Sequence, residues 1–325
     1  MNNRRHFLKS VGLGISSGLV MSSALRASQQ ASSVSDAGTG KRVRVGIIGA
    51  ENSHTVNFGR IFNIEKKFPG VEAVALWGET DEFAQRASER GQIPKIVKDP
   101  LDLMGQVDAV IIDHRHAKYH AAAAQPFVTA GIPTFVDKPF TYRVGEARHL
   151  LDLAETHKTP ITCLSSVGYG PAVDSMAAQI SQLEDVITLV ITGPADVTSK
   201  YGGIFFYGVH FVEQLFKIFG DDAHSVRATR HGGKTTFQFK FDSGRLATAV
   251  LAPERDVYAI TSKGAVAIAP GEETGEGLQM YAAIVKMFQT GEEPRTHDSI
   301  IRTVAALEAM ERSAQSEDWE QHLLV

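Results

Sequence analysis

One cysteine, Cys163, stands in a chain of 325 residues, so no intrachain disulfide braces the fold and stability must come from packing. No block of like charge is present and the net charge is only −4, which leaves no electrostatic footprint for nucleic acid or for an anionic membrane surface. The longest apolar stretch runs to about fifteen residues, too short to span a bilayer comfortably. Internal repeats and low-complexity segments are also lacking, which excludes solenoids and arrays. What remains is an ordinary soluble composition, 43% apolar and 22% charged, on a chain long enough for two domains with full cores.

The amino terminus reads as an address rather than as fold. Arg4 and Arg5 precede Phe7, Leu8 and Lys9, and the small-residue apolar run VGLGISSGLVMSSAL follows. This is the pattern of a twin-arginine export signal, here residues 1–27, with a polar Ser/Ala/Gly-rich tether over 28–41. The expected location is periplasmic or secreted, with no membrane span after processing. Export of folded protein suits a chain that acquires a cofactor in the cytoplasm.

From Arg42 strands and helices alternate, which argues a parallel sheet. RVRVGII (42–48) is a strand carrying Gly46 and running into Gly49, with a helix after Ser53: strand, glycine turn, helix, the opening of a dinucleotide-binding unit. Glu51 stands where the second fingerprint glycine would let backbone approach a pyrophosphate. A carboxylate about 4 Å from a phosphate costs on the order of 4 kcal/mol at an effective dielectric near 20. Glu51 must therefore turn away, or the dinucleotide sits differently or is absent. EAVALW (72–77) is the second strand, and Glu79 is the nearest ribose-binding acid, one residue beyond Gly78. VDAVIID (107–113) is a buried parallel strand. His116 and His120 after it have metal-ligand spacing on a helix, but no third ligand accompanies them and no metal is expected; His120 is read as a helix-start histidine at the cofactor edge. GIPTFVDKPF (131–140) ends a helix, forms a short strand and delivers Asp137 and Lys138 to its carboxyl end, the edge where ligands of open α/β sheets sit.

Past Ser165–Pro171 the pattern changes to runs of strands with hairpin turns at 242–244 and 262–264, implying a mostly antiparallel sheet, and two closing helices. One helix, GGIFFYGVHFVEQLFKIFG (202–220), is apolar nearly all round and therefore buried. It carries His210, with Tyr207 and Glu213 one turn away as expected orienting partners.

The glycine turn Gly46–Gly49, the VDKPF segment, the helix GGIFFYGVHFVE and the closing pattern YAAIVKMFQTG…RTVAALEAMERS together resemble the Gfo/Idh/MocA oxidoreductases, over residues 41 to the carboxyl end. The resemblance implies an α/β architecture: a doubly wound Rossmann domain (42–162) followed by an α+β domain (163–325) with a mostly antiparallel, open-faced sheet that also makes homo-oligomer contacts. It implies NAD or NADP, held by Gly46, Gly49, Ala50, Glu51, Asn52, Glu79, His120, Asp137 and Lys138. It implies a small carbohydrate substrate, with Lys138 orienting the hydroxyl, His210 as acid/base and Tyr207 beside it.

Three positions depart from the family pattern: Phe206 stands in the place of an aspartate four residues before His210, Glu51 replaces a glycine, and Gly78 replaces the ribose acid. The leading expectation is an oxidoreductase of a sugar, polyol or glycoside with tightly bound nicotinamide. The alternatives are NAD-assisted elimination or hydrolysis of a glycosidic bond, and a catalytically weakened carbohydrate-binding member. Export is testable directly. Replacing Arg4 and Arg5 by Lys should leave folded protein in the cytoplasm, and an unchanged periplasmic yield would remove the twin-arginine reading.

Overall fold

The structure is a computed structural model that describes residues 41–272 and 277–321; the expected signal segment and all of the tether except Lys41 lie outside the described residues. Short runs of β-branched and small apolar residues, buried on both faces, build the first sheet. Its strands are β1 (Val43–Ile48), β2 (Val71–Trp77), β3 (Lys95–Ile96), β4 (Ala109–Ile112), β5 (Thr134–Val136) and β6 (Ile161–Thr162). They lie in the order β3-β2-β1-β4-β5-β6, every pair parallel. The order reverses between β1 and β4, and a ligand crevice opens outside the carboxyl ends at such a point. Helices α1 (Ser53–Gly59), α2 (Asp81–Gly91), α3 (His120–Thr129) and α4 (Val144–His157) make the crossovers. The Thr80 hydroxyl caps α2 by accepting from the Phe83 amide, and Gly131, at φ +75°, follows the end of α3.

The chain then turns through α5 (Pro171–Ser181) into a second sheet. This contains β7 (Val186–Gly193), β8 (Ala223–His231), β9 (Lys234–Phe241), β10 (Leu246–Leu251), β11 (Val257–Thr261), β12 (Gly264–Ala267) and β13 (Trp319–Gln321). The order is β12-β11-β7-β10-β9-β8-β13, antiparallel apart from the β7–β10 pair. That one parallel pair follows from the long connection after β7, which returns the chain through α6 (Phe205–Phe219) rather than through a hairpin. Burial alternates along β9, and the inward residues Phe237, Phe239 and Phe241 belong to one core with Phe205, Phe211 and Leu215 of α6 and with Val304, Leu307 and Met310 of α8 (His297–Ser316). On the same sheet Ile187, Leu246, Tyr258 and Val266 are exposed.

Two sequence expectations are corrected. The helix expected to begin at Gly202 begins at Phe205, because Gly202 and Gly203 adopt φ +98° and +57° and form a turn. The closing helices also do not both belong to the second sheet. α7 (Gln279–Thr290) places Ile284, Val285, Met287 and Phe288 in the core that holds Val45, Phe58 and Ile111 of the first sheet.

Glu213, expected beside His210, is used elsewhere. Its carboxylate accepts from Arg295 Nη1 at 2.7 Å, with side chains only 6% and 16% exposed. Arg295 also donates to the backbone oxygens of Cys163 and Ser299, so it ties α6, the end of β6 and α8 together. Removing one partner of such a pair leaves an uncompensated buried charge and costs about 3–5 kcal/mol. Glu213→Ala should therefore lower unfolding stability by about that amount. A urea midpoint equal to wild type at equal slope would show the pair to be dispensable.

Candidate active site

Three strand ends converge at the switch point. β1 runs into Gly49, β4 into Asp113 and β5 into Asp137. Gly49 takes φ +115°, and a Cβ there would fall 2.5 Å from the backbone of Asp113, so only glycine lets the turn lie this close to the neighbouring strand end. Both carboxylates are buried, Asp113 at 0% and Asp137 at 3% exposure, and the β1–α1 turn supplies their donors. Asn52 Nδ2 donates to Asp113 at 2.8 Å and to Asp137 at 3.1 Å. Thr55 Oγ1 lies 2.5 Å from Asp113 Oδ2. His54 Nδ1 lies 3.1 Å from both oxygens of Asp137.

Burial pushes the Asp113 carboxyl up to about 7, with the Asp137 charge adding to the shift. Burial also opposes ionisation of Asp137, but His54 and Lys138 outweigh it and hold that carboxyl well below the usual range. Asp137 in turn raises the His54 imidazole against the cost of its own burial. His54, Asp113 and Asp137 offer ligand atoms within 4.8 Å of one another, yet Asn52, Thr55 and Lys138 already provide the positive and donor groups that two carboxylates require.

Lys138 follows Asp137 and lies 3.7 Å from it, with a side chain only 11% exposed. Its ammonium points at α6, 5.8 Å from the centre of the Phe206 ring, one turn before His210. His210 is buried, and its Nδ1 is 2.9 Å from Ser165 Oγ rather than bonded to Tyr207 or Glu213. The Tyr207 ring stands 5.7 Å from the imidazole. Burial lowers the His210 pKa to about 3, with Lys138 and Arg255 adding to the effect, so the ring is neutral. Ser165 Oγ accepts from the Val167 amide, and among the described residues its own proton has no acceptor except His210 Nδ1. The ring proton therefore resides on Nε2, the nitrogen left for a ligand.

The remaining sequence candidates divide. Glu51 does turn away from the turn: its Oε1 accepts from Tyr201 Oη at 2.7 Å, across to the segment before α6. Glu79 accepts from the amides of both Ala50 and Glu51, at 2.8 and 2.9 Å, through one oxygen, while its other oxygen is buried without a donor. Gly78 cannot carry the ribose acid because a Cβ there would meet Ala50 and Ala84 at 2.9 Å. Two expectations fail. Gly46 lies inside β1, where a Cβ would press on Val107 and Leu103 at 3.0 and 3.1 Å, so its role is packing and not ligand contact. His120 is fully buried with both ring nitrogens facing backbone oxygens, those of His114 and Pro139; the neutral ring that burial favours donates to one of them, and neither nitrogen is open to a cofactor. His116 Nδ1 accepts from the Lys118 amide. Sequence reasoning missed His54, Asp113, Ser165 and Arg115. His54 was visible in principle, since it stands at the third glycine position of the fingerprint, Gly49-x-Glu51-x-x-His54.

Residues 43–164 match the family model for Gfo/Idh/MocA oxidoreductases, described as an oxidoreductase family with an NAD-binding Rossmann fold. No curated protein is a significant sequence match to the chain. Among solved structures, myo-inositol dehydrogenase from Lactobacillus casei, in complex with NAD(H) and myo-inositol, superposes with a TM-score of 0.73 at 15% identity, covering 87% of this chain and 97% of that one. The apo scyllo-inositol dehydrogenase of the same organism gives 0.74 at 14% identity, covering 87% and 99%. GenD2 from gentamicin A biosynthesis, in complex with NAD, gives 0.71 at 17% identity, covering 86% and 96%. At these identities the likeness is one of fold.

The turn itself fits the phosphates of a dinucleotide of the NAD type. Its amides already hold an anion, the Glu79 carboxylate, which stands in for a phosphate oxygen, and Gly49 keeps the backbone bare of side chain. Glu79 must withdraw for a phosphate to enter.

The His54–Asp137 pair has a pH signature. Because the folded-state pKa of His54 is raised, its contribution to stability is complete below about 6.5, the unfolded value, and is lost as pH rises through the folded one. Titration of the imidazole by NMR should give a midpoint above 6.5 in wild type. Asp137→Asn should bring that midpoint down, and a midpoint indifferent to the substitution would remove the pairing.

Proposed function

We propose that this protein is a nicotinamide-dependent oxidoreductase, with NAD as cofactor and a hydroxylated small molecule of the sugar, polyol or glycoside type as substrate. The observation that carries the reading is the meeting of Lys138, from the end of β5, with the turn of α6 that bears His210, beside a glycine turn that already holds an anion. The cofactor, when bound, accepts or gives a hydride. Lys138 and His210 supply the rest. In reduction a hydride would add to the carbonyl carbon and Lys138 Nζ would give a proton to its oxygen; in oxidation the lysine amine would take the hydroxyl proton back. His210 Nε2–H would donate a hydrogen bond to that oxygen, the neutral ring being held in this tautomer by Ser165.

Gly49, Ala50, Glu51 and Asn52 would line the phosphates, and Glu79, once withdrawn from the amides, would accept from the ribose hydroxyls. Tyr207, 41% exposed and next to His210, is placed to contact the substrate. The exposed Ile187, Leu246, Tyr258 and Val266 offer the second sheet as a surface for contact between copies. The amino-terminal pattern supports export, with the cofactor taken up beforehand.

Denaturing the purified protein should release nicotinamide dinucleotide in near-stoichiometric amount. Lys138→Ala should lower turnover by about 10²–10⁴-fold, as loss of an acid–base group typically does, and His210→Ala by about 10²–10³-fold, as loss of one donor to the reacting oxygen does, each leaving dinucleotide content near wild type. Absence of dinucleotide, joined to no binding by calorimetry, would sink the oxidoreductase reading.

A further inference from the structure

The groups that face the first turn of α6 are donors. Lys138 carries three N–H groups, and His210 presents Nε2–H. Arg115, in the turn after β4, lies with its guanidinium 5.2 Å from the centre of the Phe206 ring and 4.3 Å from that of Tyr201. Both cations therefore stand within 6 Å of one aromatic ring, stacked on it in the manner of cation–π contacts.

Phe206 can return no hydrogen bond to either. Asp137, which lies 3.7 Å from the Lys138 ammonium, also receives His54 and Asn52, and Glu51 receives Tyr201. Among the described residues no carboxylate lies within ion-pair distance of Arg115, and none within that distance of Arg255, one of whose terminal nitrogens is buried without a partner. Arg255 approaches the same helix from the other sheet, 5.9 Å from the ring of Phe211, the residue after His210. Lys138 has Asp137 as its counter-charge, but two guanidinium groups without a carboxylate, one with a buried nitrogen left unpartnered, are unfavourable unless an anion completes them.

We propose that the substrate of this site carries a carboxylate beside the hydroxyl or carbonyl that reacts, so that it is a sugar acid rather than a neutral polyol. The inference rests on the oxidoreductase reading and narrows it. Polar matching decides between the two classes. Both classes carry hydroxyls, and what the acid adds is a pair of oxygens that accept without bringing a proton. A carboxylate brings only acceptors, and two oxygens suit a guanidinium fork. The aromatic rings of Tyr201, Phe206 and Tyr207, packed in series at 4.9 and 4.7 Å, give the carbon skeleton an apolar wall.

The test is calorimetry on the full exported chain saturated with NADH. Gluconate and glucuronate are compared with glucitol and glucose, and glucose 6-phosphate serves as the alternative anion. The acids should bind at least ten-fold more tightly than their neutral counterparts, and raising salt from 20 to 300 mM should shrink that ratio. Arg115→Met should reduce the ratio about ten-fold, with NADH binding retained as the control for folding. Equal or tighter binding of glucitol and glucose overturns the inference and leaves the oxidoreductase reading intact. Preference for glucose 6-phosphate over both carboxylates overturns the choice of a sugar acid. Failure of every compound to bind protein that does hold NADH removes the carbohydrate class altogether. Failure to bind NADH removes the reading on which the inference rests.

Discussion

Two carboxylates buried at the ends of neighbouring parallel strands are the constraint on which the rest of the site depends. Asp113 and Asp137 cannot stay desolvated without donors, and unpaired burial of such groups is among the costliest things a fold can do. The donors come from one short stretch, Asn52 to Thr55, immediately after the glycine turn. Satisfying the carboxylates therefore fixes the turn, and fixing the turn aligns β1, β4 and β5 at their carboxyl ends. The two acids settle into different states. Asp113, shared between Asn52 and Thr55, is pushed up to about 7, whereas Asp137 is kept ionised by His54 and Lys138. One ionised and one readily protonated carboxyl carry less repulsion than two charges would.

The architecture was legible in the sequence because each half has its own period. Near-continuous apolar runs such as AVII of β4 can only be buried on both faces, and alternating runs such as KTTFQFKF of β9 only on one. Lys138 and His210 were legible for a different reason, since each is a polar residue in a stretch otherwise committed to burial. Partnership was not legible. Glu213 is one turn from His210, the right spacing for a bond within a helix, but Arg295 from 82 residues away offers a charge, and a charge outcompetes a neutral ring. Ser165, the actual partner of His210, lies 45 residues away in a loop with no periodic signal. His120 likewise gave a helix-start signal that said nothing of the two backbone oxygens enclosing it.

The glycine fingerprint shows how one substitution forces others. Fingerprint glycines serve close approach, of backbone to phosphate and of helix to strand. Only Gly49 keeps that function here, and its neighbours at the second and third positions carry side chains that must go somewhere. Glu51 finds Tyr201, and the contact links the turn to the segment leading into α6. His54 finds Asp137. Gly78 reverses the logic: Ala50 and Ala84 leave no space for an acid there, so the acid moves one residue on, to Glu79, and from that position its carboxylate reaches the amides of the turn.

These substitutions make the nucleotide turn and the lysine one mechanical unit. Asp137 is the residue before Lys138, and it is gripped through His54 and Asn52 by the same turn whose amides Glu79 occupies. A ligand that displaces Glu79 therefore acts on amides one and three residues before the two side chains that grip Asp137. In a turn made only of glycines no such side-chain connection exists, and the lysine would be held by its own strand alone. Here the turn is joined to the residue before the lysine by two side chains, Asn52 and His54, both on Asp137 in buried or half-buried surroundings where such bonds are strong. The cost of losing glycine at the third position is a more crowded approach for phosphate. The return is that the residue before the lysine is held by side chains of the turn as well as by its own strand.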